Sequence, residues 1–317
     1  MCEVIRTVHE VIKSRCPARV GLLGNPSDGF CGKTLSFALA NYFAEVTLER
    51  AEGIVIVPNP NLDRSSFESI KELSNYTAVN GYYGGVRLLQ ATLKAFYGAC
   101  AQARVSLDES KGFRISYAST IPRMVGLSGS SAIILATFNA LLTNYDVTIQ
   151  DLNILKADLP EFILNIEKKE LGIAAGLQDR VIQTYQGLVF MDFTEGVVKG
   201  RNGVGGVMSE VNSAGTSEYC SVDVRLLPKL YLAYNLSAAG DSGKVHSTVK
   251  QRWEQRDPEL VKGMQRLGGY AQLGVEALRK GDFEAFGALM ENNFATRRLL
   301  YGDAVVGANN LGMFEAG

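Results

Sequence analysis

Residues 122–132, PRMVGLSGSSA, bring together the residue types that hold phosphate. Gly126 and Gly129 let the main chain come close to an anion. Ser128, Ser130 and Ser131 add hydroxyls, and the apolar helix that follows points its unpaired N–H groups at the same spot. The same composition also serves an ordinary strand-to-helix turn, so other segments must decide. Three further segments carry carboxylates. Asp28 lies in the turn Asn25-Pro26-Ser27-Asp28-Gly29, Glu167 lies on a helix with Glu170 one turn on, and Asp179 follows Gly176-Leu177-Gln178 at the start of another helix. Each also has an ordinary reading: a turn residue, a solvated helix carboxylate, and a helix N-terminal aspartate favoured by the dipole.

Other chemistries are poorly supplied. His9 and His246 are the only histidines, so no H-E-x-x-H pair exists and a serine triad has almost no base to draw on. The serine loop fails as a nucleophile elbow because Ser130 stands where G-x-S-x-G needs glycine. Two near misses to a P-loop also fail. Gly32-Lys33-Thr34 has Ser27 where the first glycine belongs, and Lys244 is followed by Val245 rather than Ser or Thr. Cys2, Cys16, Cys31, Cys100 and Cys220 are odd in number, scattered and without a C-x-x-C pair, which argues against a disulfide framework or a structural zinc site.

The elements that must position these groups can be read from periodicity. Residues 18–23 form a short apolar strand ending at Gly24, residues 43–48 alternate with Ala44, Val46 and Leu48 on one face, and 53–57 is β-rich. Residues 83–97 place Val86, Leu89, Leu93 and Phe96 at helical spacing, and 113–117 returns to strand periodicity before the glycine loop. Residues 131–142 are apolar nearly all round, which predicts a buried helix. Asp158 with Glu161 resembles a capping box for a helix running to about Leu171 and carrying Glu167. Residues 199–221 are rich in Gly, Ser and Asn and read as a loop. Beyond them, 230–236 is a strand candidate, and 245–253, 259–280 and 283–300 are helix candidates.

The chain of 317 residues is 46% hydrophobic, enough for two cores in a soluble protein. A formal net charge of −1, from 32 basic and 33 acidic residues, gives no general attraction to nucleic acid or an anionic membrane, and leaves small molecules as the expected partners. The N-terminus carries Glu3, Arg6, His9 and Glu10 among its apolar residues, unlike a signal peptide, and no run of 18 apolar residues occurs, so a cytoplasmic location is expected.

Set side by side, PARVGLLGNPSD at 17–28, the loop at 122–132 and GLQD at 176–179 resemble the motifs of the GHMP small-molecule kinases. That family usually carries P-x-x-x-G-L-G-S-S-A, and GLSGSSA, with one extra small residue, resembles its sugar-kinase branch. GNPSD, GYYGGVRLL, EKKELGIAAGLQDR and the DSGKVHS text at 241–247 resemble, more narrowly, the glucuronokinases. The resemblance implies an α/β (α+β) two-domain fold, with a ribosomal-protein-S5-like N-terminal domain over residues 1–200, a linker at 201–220, and a ferredoxin-like domain from 221 to 317. It implies ATP and Mg²⁺ as cofactors and phosphorylation of D-glucuronate at its anomeric hydroxyl. Galacturonate, galactose, a heptose, or nucleotide binding without turnover are the alternatives.

Roles follow residue by residue from that resemblance. Pro122, Gly126, Leu127, Ser128, Gly129, Ser130 and Ser131 would cradle the nucleotide phosphates, and Ser131 with Glu167 would hold Mg²⁺ through oxygen donors. Asp179 would be the catalytic base, and Arg19, on the first strand, would help stabilise the nucleophilic oxygen. Asp28 would accept hydrogen bonds from sugar hydroxyls. Many relatives carry G-E-H-x-D in that turn. The neutral Asn25 here spares an anionic sugar a like-charge neighbour, and Arg123 or Lys244 would pair with its acid group. The family's late K-x-T-G-x-G-G segment does not occur before Gly317, which implies a truncated second domain with an exposed sheet edge.

Overall fold

A computed structural model describes residues 3–7, 10–80, 84–123, 125–195, 209–234, 249–303 and 311–314. Its contacts gather into two compact units, Met1–Ala18 with Leu39–Ile173 and Arg19–Ala38 with Ala174–Gly317. This division is drawn differently from the expected boundaries at 200 and 221. Strand β2 (Ile12–Leu23) and strand β3 (Lys33–Arg50) are long, about 40 and 60 Å when extended, and each supplies residues to both units.

In the first unit β1 (Glu3–Arg6) pairs antiparallel with the start of β2. β4 (Ile54–Ile56) runs parallel to β5 (Phe113–Ser119), which pairs antiparallel with the far end of β3. The alternation at 43–48 holds, with Ala44, Val46 and Leu48 buried as one face. Three helices matter here, α1 (Ile70–Asn80), α2 (Gly85–Ala103) and α3 (Gly129–Tyr145). As predicted from its composition, α3 is buried continuously from Ser131 to Leu141. Edge-to-face contact of Phe96 with Phe138, and a tilted contact of Phe138 with Phe162, tie α2 and α4 (Leu159–Asn165) to α3. The start of α4 is where the sequence places it, but the capping box is not formed. Asp158 makes no side-chain cap bond, and Pro160 in the first turn supplies the entry instead.

In the second unit α5 (Gln178–Tyr185) leads into β6 (Leu188–Asp192), which pairs antiparallel with residues 33–37 of β3. β7 (Ser209–Val211) and β8 (Glu218–Val222) continue the antiparallel pairing, so part of the predicted loop at 199–221 is a hairpin. The Asn212–Ser217 turn explains it: Asn212 Oδ1 accepts from the backbone N–H groups of Thr216 and Ser217, a local device that composition alone does not reveal. The strand candidate at 230–236 is not a strand over its described residues. Leu230 packs on the core beneath while Tyr231 is exposed, and no ladder partner engages the segment.

Residues 249–254 are helical, and two long helices follow, α6 (Pro258–Lys280), capped by Asp257, and α7 (Phe283–Tyr301), capped by Asp282. Leu22, Leu23, Leu35, Phe190, Val222, Val275, Leu278 and Phe286 meet in one core beneath them. Among the described cysteines, Cys16, Cys100 and Cys220 are buried free thiols and Cys31 is half-buried. No described helix is long and apolar enough to cross a membrane.

Candidate active site

In the second unit, the end of β2, the turn after it and the start of α5 bring together the residues that the sequence singled out. Arg19 donates from Nε to Asp179 Oδ1 at 2.8 Å, and its second guanidinium nitrogen also reaches that oxygen. Asp179 lies in the first turn of α5, where the helix dipole favours a carboxylate. Its other oxygen, Oδ2, is 3.2 Å from Nη1 of Arg180, which also donates to the Gly176 carbonyl at 2.8 Å. Both side chains of the Arg19–Asp179 pair keep some solvent contact, 13% and 21%, so the pair is oriented without being sealed.

Asp28 joins them through a short 3₁₀ turn, Ser27–Phe30, that follows a cis Asn25–Pro26 bond. The Gln178 backbone N–H donates to Asp28 Oδ2 at 3.4 Å. A Cβ on Gly176 would lie 2.4 Å from that same oxygen, so only glycine lets the 176–179 segment come so close. Burial first, and then the charge of Asp179, push the Asp28 carboxyl up to about 6, while Arg19, the Gln178 N–H and Arg180 pull it back. The Asn25 amide donates to Gln178 Oε1, and the Gln178 amide donates to Ser36 Oγ. Gln178 thus braces the 25–28 turn to β3.

Two members of this cluster escaped sequence reasoning. Gln178 is only 1% exposed and Arg180 only 2%, and both sit beside a motif residue rather than at one. Burial, with repulsion from Arg19, lowers the Arg180 guanidinium to about 9, against the opposing charge of Asp28. The one available signal was polarity on a helix face otherwise led by Val181 and Ile182. Lys33, from the rejected P-loop text, opens β3 rather than a helix, and its Nζ meets Gln272 Oε1 at 2.8 Å.

The glycine- and serine-rich turn before α3 stands in the first unit. Gly126 has φ +78° and Ser128, the residue preceding α3, has φ +65°, so two left-handed residues curve the chain and present the first N–H groups of α3. Leu127 is buried and anchors the turn, and Pro122 leads into it. Ser130 Oγ donates to Glu167 Oε1 at 2.8 Å, whereas Ser131 Oγ turns back to the Ser128 carbonyl at 3.2 Å. The hydroxyl brought to Glu167 is therefore that of Ser130, not that of Ser131. Glu167 is fully buried in a π-helical turn, Ile166–Glu170, that extends α4, while Glu170 pairs with Lys94 instead. Arg123 is exposed, and its Nη1 lies 3.5 Å from the Leu62 carbonyl in the same unit. Lys244 lies outside the described residues.

Comparison with known proteins gives these clusters a context. Residues 87–187, which include the glycine- and serine-rich turn, Glu167 and Asp179, match the family described as GHMP kinases N terminal domain. Glucuronokinase 1 of Arabidopsis thaliana is 42% identical over 305 residues, covering 96% of this chain and 79% of the relative.

The chain belongs to the GHMP kinase family.

By that membership it is a phosphotransferase acting on a sugar hydroxyl, with ATP as the phosphoryl donor. Solved members of this family share the fold at low identity. Lactococcus lactis galactokinase complexed with galactose superposes with a TM-score of 0.60 at 16% identity, over 92% of this chain and 76% of its own. Methanococcus jannaschii mevalonate kinase superposes with a TM-score of 0.57 at 17% identity, over 93% and 80%. The mixed α/β GHMP kinase fold expected from the motifs is the fold observed.

Proposed function

We propose that this GHMP kinase transfers the terminal phosphoryl group of ATP to the anomeric hydroxyl of D-glucuronate, releasing ADP and glucuronate 1-phosphate. The observation that carries the reading is the Arg19–Asp179–Asp28 cluster, a hydrogen-bonded carboxylate beside a second carboxylate of raised pKa. The 42% identity to a glucuronokinase supports the choice of sugar.

Each residue has a task in that reaction. Asp28 accepts hydrogen bonds from vicinal sugar hydroxyls and fixes the ring. Asp179 takes the proton of the attacking hydroxyl; Arg19 and Arg180 hold its two oxygens in place and leave lone pairs free for that proton. Arg19 also stabilises the negative charge that develops on the hydroxyl oxygen. In the other unit the N–H groups at the start of α3 receive phosphate oxygens. The oxygen donors Ser130 Oγ and Glu167, already 2.8 Å apart, suit a hard divalent cation and would hold Mg²⁺, which neutralises phosphate charge when bound.

The test is turnover with ATP and Mg²⁺ on a panel of glucuronate, galacturonate, galactose and glucose, with the phosphate position assigned by ³¹P NMR. Glucuronate 1-phosphate is expected, and Asp179→Asn should lower kcat by about 10²–10⁴ while leaving the melting temperature near that of the parent. Turnover confined to neutral sugars would overturn the reading.

A further inference from the structure

The last helix carries a polar stripe that the reaction described above does not use. On α7, Asn293, Arg297 and Tyr301 follow one another at four-residue spacing and so share a face. The first of them is docked: buried Asn293 accepts from the Gly24 backbone N–H at 2.9 Å, at the entrance to the turn that holds Asn25 and Asp28. The last is docked as well. The ring of Tyr301 packs with Leu300 and Trp253 against the cluster around Phe30, the residue that closes the same 3₁₀ turn. The stripe therefore lies along the sugar turn, held at both ends.

Its donors are unspent. The Tyr301 hydroxyl is buried and has no hydrogen-bond partner among the described residues. Arg297 makes no hydrogen bond or ion pair among them either, and it is open to solvent. An unsatisfied buried hydroxyl costs free energy, and a guanidinium beside it offers a planar fork of donors. Burial pushes the Tyr301 hydroxyl up to about 12, with Arg297 opposing and Asp28 adding to the rise.

We propose that Arg297 and Tyr301 form the subsite that grips the carboxylate of an acidic sugar, and so make the enzyme select a uronic acid over the corresponding neutral sugar. The inference rests on Asp28 as the sugar contact. A carboxylate takes two parallel hydrogen bonds from a guanidinium and a third from a phenol. A neutral sugar leaves those donors unpaired and is rejected on that account. A phosphate group offers similar acceptors, so the nucleotide is the competing occupant.

The experiment compares parent, Arg297→Gln, Arg297→Lys and Tyr301→Phe on glucuronate, glucose and ATP. Arg297→Gln is expected to raise the KM for glucuronate about 10–100-fold, with kcat and the KM for ATP little changed. Arg297→Lys should recover part of the loss, and Tyr301→Phe should raise that KM several-fold while keeping the ring packing. A parent-like KM for glucuronate in Arg297→Gln, or an effect on ATP alone, overturns the subsite and leaves the glucuronokinase reading intact. If the parent turns over no uronate, that reading falls by itself. The subsite is then decided by thermal shift: it survives if glucuronate raises the melting temperature of the parent but not of Arg297→Gln, and is overturned otherwise.

Discussion

Asp28 is the residue whose environment makes the sharpest prediction. Folding raises its carboxyl from the usual 3.8 to about 6, so the folded protein holds this proton more tightly than the unfolded chain. The stabilisation from that proton is complete below about pH 3.8 and is lost as pH rises through 6. Above that, an ionised Asp28 is disfavoured by its burial first and by the charge of Asp179 second, a net cost on the order of 3 kcal/mol once the opposing Arg19, Gln178 N–H and Arg180 are included. Asp28→Asn is therefore expected to raise the melting temperature at pH 7–8 and to change it little at pH 4. Activity should move the other way. On the proposal that the ionised carboxylate accepts from the sugar, the KM for sugar should rise about 10-fold or more as pH falls below 6, and Asp28→Asn should abolish that pH dependence while raising the KM throughout. A KM flat from pH 5 to 8 in the parent would remove Asp28 from the sugar site.

Among the elements, the phosphate turn separates two glycines that look alike in sequence. Gly126 sits at φ +78° with open space where a Cβ would go, so Gly126→Ala introduces backbone strain without a clash, about 1 kcal/mol, and reshapes the turn. Gly129 begins α3 with no left-handed φ, and a Cβ there would make an ordinary 3.6 Å contact with Ile121. Gly126→Ala is expected to lower the melting temperature by a few degrees and weaken ATP binding, while Gly129→Ala should not lower it; calorimetry and nucleotide titration check both. Elements with one strong period were legible from sequence, such as the apolar α3 and the alternating 44–48 strand. The Arg19–Asp179–Asp28 set came from the resemblance to the GHMP kinases, and the structure brings the three side chains together. Features that depend on partners distant in the chain were not legible: Gln178 and Arg180 beside the motif aspartate, the Ser130–Glu167 hydrogen bond, and the 209–222 hairpin set by Asn212. The run at 188–191, a short all-apolar stretch after Gly187, is of the kind that marks a strand buried on both faces.

For the molecule as a whole, near-balanced charge has a practical result. A formal charge of −1 at pH 7 and an isoelectric point near 6.2 put the solubility minimum within the range where Asp28 titrates. Light scattering across pH 5–8 is expected to show strongest self-association near pH 6, relieved by moderate salt only if the attraction is electrostatic. Kinetic pH profiles therefore need a scattering control before any limb near 6 is assigned to one carboxyl. The cysteines offer a second practical result. Burial, and then Glu195, push the Cys31 thiol up to about 11, and Cys16, Cys100 and Cys220 are out of solvent, so these four should react slowly with maleimide at pH 7.5. With Cys2 changed to serine, the folded kinase becomes a nearly silent background for a fluorophore attached through one engineered surface cysteine, and ligand-driven motion could be watched by that dye in real time.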